Sequence, residues 1–144
     1  MSLQAAEVRQ ANKEVVQRVY DAVASGDIAT FLAQCAEDMV LVEADSLAVG
    51  GTYRGRESVL GCIGQLAEHY DWSTLEVAEL VADGDERVAA LVSVKAAGPD
   101  RAVFEISEWW LVRDGKVVEC RPFYLDTQRM NEVLAANAAA RADG

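Results

Sequence analysis

The second half of the sequence alternates between strand formers and turn signals, and this constrains the fold more than any other feature. Thr74–Ala82, Arg87–Ala97, Arg101–Val112 and Lys116–Leu125 are runs rich in Val, Ile, Phe and Trp. Asp83-Gly84-Asp85, Gly98-Pro99-Asp100 and Arg113-Asp114-Gly115 separate them. Acidic–glycine pairs turn readily into the positive-φ corners of tight hairpins, so the four runs predict an antiparallel meander.

The first half follows a different period. Val8, Ala11, Val15, Val16, Val19, Ala22 and Val23 recur at helical spacing between Ala5 and Ala24, with Glu7, Arg9, Lys13, Glu14 and Arg18 on the other side. Gly26 stops this helix, and Asp27 caps a short second one carrying Ile28, Phe31, Leu32 and Cys35. Met39–Ala44 reads as a strand, and Gly50–Gly55 is too glycine-rich to stay regular. From Glu57 to about Tyr70, Val59, Leu60, Ile63, Leu66, Ala67 and Tyr70 return to helical spacing, with Gly61 and Gly64 each weakening the helix by roughly 1 kcal/mol. An alanine-rich helix and tail over 127–144 close the chain, and Met1-Ser2-Leu3 has the look of an expression scar. The elements make one α+β domain over 1–144, a curved antiparallel sheet wrapped around three N-terminal helices with a C-terminal helix added. Such a cone opens at its wide end, where a ligand enters.

Charge narrows the partners. The chain carries 13 basic and 24 acidic side chains, a net charge of −11. That balance repels nucleic-acid backbones and anionic membrane surfaces. No apolar run reaches the ~20 residues of a membrane span, and the charged first twenty residues leave no signal-peptide core. Cys35, Cys62 and Cys120 are odd in number and widely spaced, which predicts reduced thiols in a cytoplasmic protein. With one histidine, His69, and no phosphate-binding, dinucleotide-binding, paired-cysteine or serine-nucleophile motif, no metal or cofactor is expected.

The candidate chemistry lies on the strands. Phe104, Ile106, Glu108, Trp110 and Val112 share one face of the third meander strand, and Glu108 is its only ionisable member. A carboxylate aimed into an apolar cavity is costly unless paired, hydrogen-bonded or protonated, which marks Glu108 as the candidate acid/base. Glu43 shares its face with Met39, Leu41 and Asp45, and either face of that strand could point inward. If Glu43 does, the two carboxyls could act as base and neutral acid. Tyr124, on a face with Val118, Cys120 and Pro122, is a candidate donor to a developing enolate oxygen. The expected pocket lining is Phe104, Ile106, Trp110, Cys120, Tyr20 and Tyr53, with His69 at the rim. On the opposite sheet face, Trp109, Leu111, Phe123 and Leu125 form an apolar surface that predicts a homodimer, with Glu105, Glu119 and Arg121 around it.

Several stretches together resemble a known family. They are Val15-Val16-Gln17-Arg18-Val19-Tyr20 through Ser25-Gly26-Asp27, then Glu37-Asp38, then Gly51-Thr52-Tyr53-Arg54-Gly55-Arg56-Glu57-Ser58-Val59. Glu108-Trp109-Trp110, Asp114-Gly115-Lys116-Val117-Val118-Glu119 and Phe123-Tyr124 complete the series. In this order they are similar to the SnoaL-like proteins and ketosteroid isomerases of the nuclear transport factor 2-like superfamily. The resemblance implies a cone-shaped, usually dimeric α+β barrel with a deep pocket. It implies that the catalytic acid/base of the polyketide cyclases falls on Glu108, and the proton-shuttling acid of the isomerases on Glu43. Both positions hold glutamate where the family usually has aspartate. The isomerase's oxyanion tyrosine falls on Val19, one residue from Tyr20, which argues against a classical steroid isomerase. The expected activity is carboxylate-mediated proton transfer on an apolar carbonyl compound; the alternative is a ligand-binding domain without chemistry.

Overall fold

The computed structural model describes residues 3–144, so Met1 and Ser2 of the expected scar lie outside the described residues. The element order is α1 (Leu3–Ser25), α2 (Ile28–Gln34), β1 (Cys35–Glu43), β2 (Gly51–Arg54), α3 (Arg56–Leu66), β3 (Tyr70–Asp83), β4 (Arg87–Ala96), β5 (Val103–Arg113), β6 (Lys116–Tyr124) and α4 (Thr127–Asp143).

Local chemistry sets most boundaries. The Asp27 carboxylate accepts from the Thr30 backbone N–H at 3.1 Å and starts α2. Asp126 does the same for α4 through Arg129 N–H at 2.9 Å. The meander forms as predicted: β3, β4, β5 and β6 pair antiparallel in sequence. Inward residues alternate along them, with Val88, Ala90, Val92, Val94 and Ala96 buried on β4.

The sheet departs from the expected antiparallel barrel in two respects. Its strand order is β2-β1-β6-β5-β4-β3, and β1 lies parallel to β6, with Leu41 opposite Cys120. It is therefore a curved, mixed sheet whose two edge strands, β2 and β3, do not meet. Gly51–Arg54, expected to be irregular, pairs antiparallel with β1 as the edge strand β2. The loop before it brings its backbone against β1's end: a Cβ on Gly50 would sit 2.3 Å from the Ala44 carbonyl oxygen.

Three local expectations also shift. Cys35 begins β1 and does not belong to α2, and Tyr70 begins β3 instead of ending α3. On β6 a register shift breaks the period of two: Val117 faces Val112 while Glu119 faces Leu111. Val117 is therefore fully buried where an unbroken period predicts Val118 inward.

Helix α1 lies against β3 and α2, and α3 packs on β1. Together with the concave sheet they enclose one core, in which Val16, Val19, Met39, Val59, Val92 and Val117 are almost completely buried. Helix α4 closes the fold through Met130, Val133 and Leu134. Its buried Asn137 donates to the Asp100 carbonyl at 2.9 Å and accepts from the Asp100 N–H at 3.0 Å. Among the described residues no helix is long and apolar enough to cross a membrane.

Candidate functional site

A cavity lies between the concave sheet face and the helices, with about 60 Å³ open to the centres of water-sized molecules. Its lining carries six aromatic rings and two carboxyls, and no lysine, arginine or histidine.

Glu108 enters it from β5, with Ile106 and Trp110 on either side along the strand. It is half-buried and lines the cavity. The Tyr20 hydroxyl, from α1, donates to Glu108 Oε1 at 2.7 Å, and the Trp110 indole N–H donates to the Tyr20 oxygen at 2.8 Å. The Tyr20 and Trp110 rings meet edge to face, centroids 5.4 Å apart. An indole has only a donor to offer, so the Tyr20 proton is directed to the carboxylate. Burial raises the Glu108 pKa to about 7; the Tyr20 hydrogen bond works against that rise, and the nearby Glu43 charge adds to it.

Glu43 resolves the question of its strand face. It points inward with Met39 and Leu41 and is buried. It accepts a hydrogen bond from the Tyr124 hydroxyl on β6. Burial raises its pKa, opposed by that bond and by the backbone N–H of Ala44. The strand pairing explains the meeting: β1 and β6 are parallel neighbours, and the inward faces of both reach the same end of the cavity. The Tyr124 hydroxyl is itself held far above its ordinary pKa, chiefly by burial.

The expected lining is met in part. Tyr20, Ile106, Glu108, Trp110, Cys120, Glu43 and Tyr124 line the cavity. Phe104, Tyr53 and His69 do not. Phe104 stands behind the wall, edge-on to Tyr70 with centroids 5.9 Å apart. Tyr53 sits on the edge strand β2 and donates to the Val49 carbonyl at 2.6 Å. His69 lies in the turn between α3 and β3, its carbonyl accepting from Ala97 N–H at 2.8 Å. Cys120 is no nucleophile at neutral pH, since burial lifts its thiol well above the usual range. Sequence reasoning missed Tyr70 and Trp72 because the helical period runs four residues past the end of α3. The edge-to-face pairing of those two rings, 5.3 Å apart, forms the far wall. Among the described residues no group of three or more His, Cys, Asp or Glu could hold a metal ion.

The curved mixed sheet closed by helices over an apolar cavity is the fold of NTF2-like proteins. The family model for the SnoaL-like domain matches residues 16–120, and the chain belongs to that family. It is similar to the uncharacterized protein Rv0034 of Mycobacterium tuberculosis, 29% identical over 120 residues, covering 81% of this chain and 90% of that protein. Its fold is also that of an NTF2-like protein of unknown function from Burkholderia pseudomallei (TM-score 0.74, 24% identity, 86% of this chain and 97% of that one). A third likeness is to a proposed polyketide cyclase of Xanthomonas campestris (TM-score 0.70, 23% identity, 88% and 98% covered).

Proposed function

We propose that this protein catalyses proton transfer on an apolar carbonyl compound, as in polyketide cyclisation or isomerisation, with Glu108 as the acid/base. The observation that carries the reading is the Glu108 carboxyl itself: inside an apolar cavity, hydrogen-bonded by Tyr20, with a pKa near neutrality. A general base with a pKa close to the working pH combines a large ionised fraction with a strong pull on a proton. Ionised Glu108 takes a proton from the carbon next to the carbonyl, and the electron pair moves onto the carbonyl oxygen as an enolate. At the other pole Glu43, when it carries a proton, donates to the Tyr124 oxygen and frees the Tyr124 proton to meet that enolate. The family and the cyclase-like fold neighbour support the same reaction class.

Exchange of the α-protons of cyclohexanone into D2O, followed by NMR, tests this without knowledge of the natural substrate. The protein should accelerate exchange about 100-fold over buffer, within the usual range of a positioned base. Glu108→Gln should return the rate to that of buffer with folding intact. Exchange that is unchanged in the variant would sink the acid/base role. Binding of the ketone by both proteins with no exchange by either would establish the alternative, a ligand-binding domain without chemistry.

A further inference from the structure

Three tyrosines line the cavity, and two have their protons committed. Tyr20 donates to Glu108 and Tyr124 donates to Glu43. Tyr70 is different. It is 2% exposed, and its hydroxyl, shut off from water, has no hydrogen-bond partner. The Tyr124 hydroxyl lies close enough to act on the Tyr70 oxygen as a weak donor, short of full hydrogen-bond geometry, and that contact leaves the Tyr70 proton itself without an acceptor. Native proteins rarely bury a hydroxyl unpaired, and such a group gains most when something else brings it an acceptor.

The rest of the lining says what that acceptor belongs to. With two carboxyls and no cationic side chain on the wall, an anionic ligand meets repulsion and no counter-charge. Both carboxyls also have raised pKa values, so the cavity favours its own neutral form. An uncharged ligand suits that form, whereas a ligand without an oxygen leaves the phenol unpaired.

We infer that the Tyr70 hydroxyl is the ligand-binding donor of this cavity, selecting an uncharged molecule that offers it an acceptor oxygen. The inference rests on the reading of the cavity as a ligand site and assigns Tyr70 the role that Tyr124, tied to Glu43, does not fill in the resting protein. Removing only the hydroxyl leaves the edge contacts of the ring with Trp72 and Phe104 in place.

The test is an NMR titration of the wild-type protein and Tyr70→Phe with three probes of one size: cyclohexanone, methylenecyclohexane and cyclohexylamine. The wild type should prefer the ketone to the hydrocarbon by about tenfold or more, the discrimination expected where a buried polar group would otherwise stay unpaired. Tyr70→Phe should erase that preference, leave the hydrocarbon's affinity within about twofold, and melt no lower than the wild type. Equal wild-type affinity for ketone and hydrocarbon overturns the inference, as does a preference that survives in Tyr70→Phe. A lowered melting temperature in the variant would show that Tyr70 has a partner within the protein, and that too overturns the inference. Tighter binding of the ammonium probe would overturn it by assigning the cavity to organic cations. Binding of no probe overturns the ligand-site reading and this inference with it. Loss of ketone exchange in Glu108→Gln alongside an intact ketone preference separates the two claims, since one concerns chemistry and the other recognition.

Discussion

A carboxyl that titrates near neutrality alters stability and reactivity together. Below the ordinary glutamate value of 4.5, Glu108 is protonated in both the folded and unfolded chain, and its burial is uncharged. Between 4.5 and about 7 the unfolded chain releases the proton while the folded one keeps it, so each pH unit in that window lowers stability by ~1.4 kcal/mol. Above about 7 the loss is complete, about 3 kcal/mol in all. Glu108→Gln should therefore be more stable than the wild type at pH 8 and close to it at pH 4, as urea titrations at the two pH values would register. Reactivity runs the other way: α-proton exchange should rise with pH and level off above about 7, because only the ionised form is a base. Tyr20→Phe removes the donor that holds this pKa down, so the midpoint of the rate profile should move to higher pH. A midpoint that stays put in the phenylalanine variant would mean another donor had replaced the tyrosine.

At the scale of the elements, helix α4 meets the β4–β5 turn through its buried Asn137. Gly98 in the β4–β5 turn has φ +126°, and a Cβ there would lie 2.7 Å from the Asn137 side-chain carbon Cγ. Gly98→Ala should cost about 3 kcal/mol through strain and displacement of α4, read as a lower urea midpoint. Asn137→Ala should cost about 2 kcal/mol by leaving the Asp100 backbone groups unpaired. The sequence announces this turn, because Gly-Pro-Asp between two strand-forming runs has a local meaning. It announces the inward face of β5 for the same reason: Phe104, Ile106, Glu108, Trp110 and Val112 alternate without interruption. What local patterning cannot express is which distant strands pair. Nothing in Met39–Glu43 says that its neighbour is β6, yet that pairing alone turns Glu43 inward beside Tyr124. Periodicity misplaces Tyr70 because it stands four residues after Leu66 and so continues a helical stripe that the backbone has already left. The bulge on β6 is equally hidden, since an extra residue in one strand shows only against its partner.

At the scale of the molecule, the convex side of the sheet carries apolar surface that the fold does not cover. Trp109 is 44% exposed, Phe123 58% and Leu125 76%, and Leu91, 44% exposed, extends the patch across β4. Arg87 lies over the Trp109 ring, 5.7 Å from its centre, and Arg121 pairs with Glu119 at the margin. We propose that a second copy of the chain covers this face. Sedimentation equilibrium at micromolar concentration should return twice the 15.6 kDa chain mass, and Trp109→Glu combined with Phe123→Glu should return a monomer. A wild-type monomer would leave the patch without the occupant proposed for it. The placement of β1 in the sheet has a consequence of another kind. Its only neighbours are β2 and β6, so apart from one short edge strand its partner arrives some eighty residues later in the chain. A contact of that sequence separation slows folding, because a long loop must close before anything is gained. On the ribosome, the N-terminal helices and the β3–β4 hairpin can take shape while β1 still waits. The strand that holds Glu43 can pair with β6 only when residues 116–124 have emerged, so the two acids come to share one chamber only after that point. Until then no half-made intermediate can carry out chemistry that needs both.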